Sequence, residues 1–174
     1  MKKHVFLTGD IRVGKSTAIN KALAELNEKV GGFRTAGIDY RNGRWSNLVL
    51  FKATEKLETG HIVAHQNKSS RKEVFLEVFD TYGPQFLEET NRITIMDEVG
   101  FLESKSEKFC SAILETLNSD THVLGVIRNI HTPFLDKIRN RDDVILITIT
   151  EDNRDEIPRN IVKIIRDMER SLQE

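Results

Sequence analysis

The chain predicts an α/β fold: a three-layer sandwich with a mostly parallel central sheet, helices on both faces and an added β-hairpin. Three observations carry that expectation. Short β-rich runs alternate with amphipathic helical stretches along the 174 residues. A glycine-punctuated loop, Gly9 to Ser16, separates the first strand from the first helix, and Asp97 closes a later buried apolar run. In open α/β sheets ligands bind at the C-terminal ends of the strands, where both landmarks fall.

Taken in order, His4 to Thr8 is an apolar run with β-branched and aromatic residues, and reads as the first strand. Ile19, Ala22, Leu23, Leu26 and Val30 recur at helical spacing, predicting a helix that ends at Gly31-Gly32. Phe33 to Tyr40 and Trp45 to Lys52 flank Arg41-Asn42-Gly43-Arg44, and Asn-Gly between two β-rich runs is a strong hairpin signal. That hairpin is either a structural edge or a flap facing the substrate. His61 to His65 reads as a strand and 66–71 as a loop, whose Lys68 and Arg71, with the adjoining Lys72, either meet a phosphate or are simply solvated. Val74, Phe75, Val78, Phe79 and Tyr82 trace a helix face, with Pro84 breaking or restarting the helix. Arg92 to Met96 is a compact strand. Ser104 and Glu107 are spaced as a capping box for a helix carrying Phe109, Ile113 and Leu117. His122 to Ile127 is a strand ending at Arg128-Asn129, and Thr132-Pro133 is an N-cap with proline at the first helical position, opening a helix through Arg139. Val144 to Ile149 is the last strand; Ile157, Ile161, Ile164, Ile165, Met168 and Leu172 make a closing amphipathic helix, with Pro158 in its first turn.

A chain of this length fits a single domain, 1–174, that buries about 70% of its unfolded surface. The 26 basic and 27 acidic residues leave a net charge of −1, so no overall positive field holds nucleic acid as a main partner or an anionic membrane. The single cysteine, Cys110, excludes an internal disulfide, fits a reducing cytosol and reads as helix packing. With Met1-Lys2-Lys3 running straight into the first strand and no run of about 18 apolar residues, a soluble cytoplasmic protein is expected. The composition sets no oligomeric state.

Gly9 to Ser16 fits G-x-x-x-x-G-K-[ST] in the strand-loop-helix context the phosphate-binding loop requires. A loop curled around a helix N-terminus aims backbone N–H groups inward, where the helix dipole also favours anions. The whole stretch, Gly9, Asp10, Ile11, Arg12, Val13, Gly14, Lys15, Ser16 and Thr17, is therefore expected to contact a nucleoside triphosphate, ATP or GTP. Lys15 serves as the catalytic cation on the β- and γ-phosphates, and the Ser16 hydroxyl ligates Mg²⁺, with Thr17 one position too deep to do so. Asp10 is unusual there. At about 6 Å and an effective dielectric near 20 it costs on the order of 3 kcal/mol against each phosphate charge, so it is expected to face solvent or Arg12.

Asp97 at the end of a buried strand is the expected second anchor for Mg²⁺, and Glu98 beside it the catalytic group that takes a proton from, or orients, the attacking water. Arg128 serves either as an arginine finger in cis or in a salt bridge. The two landmark strands need not be neighbours, and a strand between them is consistent with the class of phosphate-loop ATPases that places a catalytic Glu after the metal-binding Asp.

The combination of the phosphate loop, Gly31-Gly32-Phe33-Arg34-Thr35, Asp97-Glu98-Val99-Gly100-Phe101-Leu102-Glu103 and Asn153-Arg154-Asp155-Glu156-Ile157-Pro158 resembles the small nucleoside-triphosphatase family known from thermophiles, with a human cancer-related relative. The resemblance implies a RecA-like P-loop NTPase domain that hydrolyses ATP, GTP and other triphosphates slowly, with Mg²⁺ and little base selectivity. It also implies that Gly100 and Glu103 contact the nucleotide. Such proteins carry a Pro- and Gly-rich loop centre where this chain has Asp10-Ile11-Arg12. Asn153 stands where related proteins contact the base, but also suits a turn or a cap, and its spacing is not that of guanine-specific GTPases. A small nucleotide or metabolite kinase and a nucleotide-dependent binding switch are the alternative readings, and a nucleic-acid-modifying ATPase subunit a weaker one.

Overall fold

The computed structural model describes residues 2–69, 71–89 and 91–171. Eight strands form one sheet in the order β5-β4-β3-β2-β6-β7-β1-β8. β2 (Val30–Ile38), β6 (Ile93–Val99), β7 (His122–Ile127), β1 (His4–Thr8) and β8 (Val144–Thr148) run parallel. β3 (Asn47–Lys52), β4 (His61–Gln66) and β5 (Lys72–Val74) extend the sheet antiparallel from β2. The expected hairpin is thus the first half of a wider antiparallel wing. β7 lies between β1 and β6, so the two landmark strands are not neighbours.

Helices α1 (Lys15–Leu26) and α5 (Ile157–Arg170) cover one face, burying Ile19, Ala22, Ile161 and Ile165 against Val5, Leu7, Ile95 and Leu124. Helices α2 (Leu76–Glu88), α3 (Glu107–Asn118) and α4 (Pro133–Arg139) cover the other, packing Phe79, Phe109, Ile113 and Leu135 against Phe6, Phe33 and Met96. Fully burying each such aliphatic or aromatic side chain contributes about 1.5–3 kcal/mol. The periodicity of α1, α3 and α5 is therefore what selects three layers. Leu172, expected on α5, lies outside the described residues.

Several local expectations are corrected. α1 stops at Asn27, whose left-handed backbone (φ 53) lets its N–H bond Leu23 O. Gly31 and Gly32 belong instead to β2. Gly32 has φ +96, and a Cβ there would sit 2.0 Å from Ile95 O, so the close approach of β2 to β6 requires glycine. Val74 lies in β5 and Phe75 caps α2 rather than sharing its face. Pro84 neither breaks nor restarts α2; burial of Phe79 and Leu87 on either side offsets the roughly 3 kcal/mol an interior proline costs. The cap of α3 is not the Ser104 box but Ser106, whose Oγ accepts from Phe109 N at 3.1 Å. Thr132 caps α4 as expected, accepting from Leu135 N at 3.2 Å. Cys110 is half-buried on α3, with burial pushing its thiol up to about 11. At the hairpin tip Asn42 (φ 49) and Gly43 (φ 75) form the two-residue turn that Asn-Gly predicts, closed by the Arg41–Arg44 bridge.

Candidate functional site

The ends of β6, β7 and β1 present three groups to one cleft: Asp97 with Glu98, Arg128, and the loop at 9–14. Gly14 takes φ 112 immediately before α1, turning the loop onto the helix N-terminus. Lys15 is only 9% exposed, and its Nζ donates to Gly9 O at 3.0 Å and Asp10 O at 2.5 Å. The loop's own carbonyls therefore hold the ammonium at the loop mouth. Burial lowers the Lys15 pKa; Glu98 opposes that shift and Arg128 adds to it. Asp10 is exposed to solvent, one of its two expected orientations.

Arg12 behaves differently from the rest of the loop. It occupies a left-handed conformation (φ 63) and reaches the hairpin, donating to Gly43 O at 3.0 Å with its guanidinium 5.6 Å from the Tyr40 ring centroid. These contacts make the hairpin a wall of the cleft rather than a remote edge.

Ser16 Oγ donates to Asp97 Oδ1 at 3.1 Å. The two side chains expected to share a metal are thus within one hydrogen bond, although 81 residues separate them. A hydroxyl and a carboxylate are hard oxygen donors, and the pair fits Mg²⁺ on the chemistry of its atoms. Asp97 is 5% exposed. Burial raises its pKa, while the Arg34 guanidinium at 2.9 Å from Oδ2 and the Ser16 hydroxyl pull it down. Arg34 also donates to Asn20 on α1 at 2.8 Å, so one guanidinium ties β6 to the helix behind the phosphate loop.

Asp97 and Glu98 lie inside β6, which runs three residues past the expected end at Met96 and shifts register between Asp97 and Val99. The Asp97–Glu98 peptide is cis. Glu98 N donates to Thr35 Oγ1 at 3.3 Å, and Glu98 Oε1 lies 3.5 Å from Arg128 Nε. Of its two expected roles, Arg128 takes the salt bridge. Burial raises the Glu98 pKa, against the pull of Arg128 and Lys15.

Arg34 and Thr35 went unassigned among the site residues in the sequence, although both stand in the stretch Gly31 to Thr35. The usable signal is that stretch itself: β2 pairs parallel with β6 so that Arg34 neighbours Asp97. Gly100 and Glu103, expected to touch nucleotide, are hydrogen-bonded to each other. Glu103 is 4% exposed and its Oε2 accepts from Gly100 N at 2.9 Å, folding the turn after β6 upon itself. Asn153 is a turn residue: its amide donates to Thr148 O at 3.0 Å and accepts from Thr150 N at 2.8 Å.

Burial raises the Glu103 carboxyl to about 7, with Glu98 adding repulsion and Gly100 N–H and Arg128 opposing it. The folded state then holds the proton more tightly than the unfolded chain, so stability is lost as pH rises from about 4.5 through about 7. Glu103→Gln keeps an acceptor for Gly100 and carries no charge. It should exceed the parent in unfolding free energy by about 3 kcal/mol at pH 8, converging with it near pH 4.5. Urea unfolding of both proteins across that range measures this, and a gap independent of pH would contradict it.

Three cavities touch the loop. Two are small: one of about 350 Å³ between Thr17, Lys21, Arg154 and Asp155, and one of about 360 Å³ between Gly9, Asp10 and the stretch from Thr148 to Glu151 at the end of β8. The third, of about 670 Å³, opens toward the antiparallel wing and is lined by Ser16, Asp97, Glu98 and Arg128 at one end and by Trp45 and Lys72 among others at the other.

Comparison with known proteins agrees with this architecture. A family model described as NTPase matches residues 4–162. The nucleoside-triphosphatase THEP1 of Methanosarcina barkeri is 32% identical over 171 residues, covering 94% of this chain and 98% of its own. That of Thermotoga maritima is 26% identical over 166 residues, covering 93% of this chain and 95% of its own. The solution structure of a human cancer-related nucleoside triphosphatase aligns with a TM-score of 0.75 at 28% identity, over 95% of this chain and 98% of that one.

Proposed function

The chain belongs to the NTPase family, a nucleoside-triphosphate hydrolase by that membership, and from this premise we propose that it cleaves the terminal phosphate of ATP, GTP and other triphosphates with Mg²⁺. The observation that carries the reading is the meeting of Ser16 and Asp97 at 3.1 Å directly beside the Lys15 loop. Ser16 and Asp97 would hold the metal, which when bound neutralises charge on the β- and γ-phosphate oxygens.

The chain's own groups do the rest. Lys15 exchanges its loop carbonyls for β- and γ-phosphate oxygens, and the loop amides with the α1 N-terminus stabilise the same charge. Glu98 takes a proton from the attacking water, and Arg128 holds that carboxylate in place. Burial raises the Glu98 pKa despite Arg128 and Lys15, which makes the carboxylate a better proton acceptor than a free one. Little base selectivity is supported by Asn153, whose side chain is held within its own turn by Thr148 O and Thr150 N. The single cysteine and the near-neutral charge fit a cytoplasmic protein whose partner is the nucleotide rather than nucleic acid. No helix among the described residues is long and apolar enough to cross a membrane.

Product analysis tests this reading. With Mg²⁺, each of ATP, GTP, CTP and UTP should give the diphosphate and inorganic phosphate at rates within about tenfold of one another, or about 1.4 kcal/mol in barrier. Chelating the metal should cost roughly 100-fold or more. Release of pyrophosphate and a monophosphate, or a rate indifferent to chelator, would exclude the proposal.

A further inference from the structure

From the 670 Å³ cavity on the wing side of the phosphate loop we infer that the protein has a second nucleotide site, and that a nucleoside monophosphate bound there accepts the terminal phosphoryl group. The inference rests on the triphosphate binding at the loop as proposed above. A triphosphate whose nucleoside lies toward β8, over the cavity lined by Gly9, Asp10 and Thr148 to Glu151, directs its terminal phosphate at Ser16, Asp97 and Glu98. The larger cavity begins at those same three residues and continues away from β8. Water needs about 30 Å³. A space of 670 Å³ falls in the range of small-molecule sites, so the cavity holds far more than an attacking water.

Its lining selects the occupant. Trp45 offers an indole ring, with Lys72 Nζ 5.6 Å from its centroid, and Gln66 adds a polar amide for the edge of a base. The two carboxylates at the loop end are already matched, Asp97 by Arg34 and Glu98 by Arg128, and Arg12 and Arg44 add cationic charge to the lining. An indole ring and guanidinium groups in one lining suit a base and a phosphate. Trp45 and Glu98 line the same cavity, as an acceptor site requires.

The reaction balances without a base. A monophosphate is largely doubly ionised at neutral pH. One of its phosphate oxygens forms a bond to the terminal phosphorus, the bond from that phosphorus to the bridging oxygen breaks, and the electron pair leaves on the donor diphosphate. One triphosphate and one monophosphate give two diphosphates. With the cavity vacant of acceptor, water takes the phosphoryl group and the hydrolase activity results.

The test uses the full chain with Mg²⁺, ATP labelled in its terminal phosphate, and AMP, GMP, CMP or UMP. At least one monophosphate should acquire the label as its diphosphate, separable from inorganic phosphate. Trp45 is the only tryptophan, so its fluorescence should change saturably with that monophosphate. Lys72→Ala and Trp45→Ala should each raise the half-saturating acceptor concentration about tenfold or more, with ATP hydrolysis alone within about twofold of the parent. Label found only in inorganic phosphate at every acceptor concentration overturns the inference and leaves the hydrolase intact. A monophosphate that shifts the fluorescence and slows hydrolysis without taking label overturns the acceptor role. Absence of both hydrolysis and transfer defeats the proposed function together with this inference.

Discussion

Lys15→Ala is expected to lower triphosphate affinity about 10²- to 10⁴-fold and to bring hydrolysis to background, because it removes two or more charge-assisted contacts worth about 1.5–3 kcal/mol each. The size of the effect follows from where Lys15 sits. Its ammonium is held at the loop mouth by Gly9 O and Asp10 O, so its position is set before ligand arrives and little ordering entropy opposes the new contacts. Its lowered pKa reflects burial, and a triphosphate restores the charge balance that burial removed. Calorimetric titration with a non-hydrolysable triphosphate measures the change. Lys15→Met, which keeps the aliphatic stem, separates lost charge from a collapsed loop: both variants should fail to bind while unfolding near the parent temperature. An unchanged Kd in both would remove the loop from the site.

Glu98→Gln is expected to lower kcat about 10²- to 10⁴-fold, the usual contribution of a positioned general base, with triphosphate affinity within about threefold of the parent. The substitution keeps size and shape, and the backbone bond from Glu98 N to Thr35 is untouched. What changes is the ability to take a proton, together with the ion pair to Arg128. A drop in kcat with no loss of binding separates a role in the chemical step from a role in holding the nucleotide.

The parts of this molecule written in short-range pattern were legible from the sequence. The strand, loop and helix from His4 to Leu26 follow from one contiguous motif, and α5 follows from Ile157, Ile161, Ile165 and Met168 at helical spacing. The order β6-β7-β1 was legible only as one possibility, because the sequence left open whether a strand separates the two landmarks. Features that depend on partners far along the chain were not. β5 is three residues long and exists through its pairing with β4. Ser106 prevails over Ser104 as a cap because its hydroxyl also donates to Asp80 on α2, a tertiary contact that local spacing does not contain. The same reasoning covers the site. Lys15, Ser16, Asp97 and Glu98 are marked by residue type at motif positions, whereas Arg34 acquires its role only from the register of β2 on β6. Arg12 acquires its own from a turn 31 residues away. Glu103 was marked by its neighbourhood, yet burial turned it inward to Gly100.

The central claim is that Glu98 activates water against a terminal phosphate held at the Lys15 loop. Its most direct test is a single-turnover experiment: parent and Glu98→Gln, each in excess over labelled ATP with Mg²⁺, quenched in time and separated into triphosphate, diphosphate and phosphate. The account predicts that both proteins bind the ATP, that the parent converts it to ADP and phosphate, and that the variant retains it uncleaved over the same interval. Cleavage by Glu98→Gln at the parent rate would contradict the account and move the water-activating role to another group in the cleft.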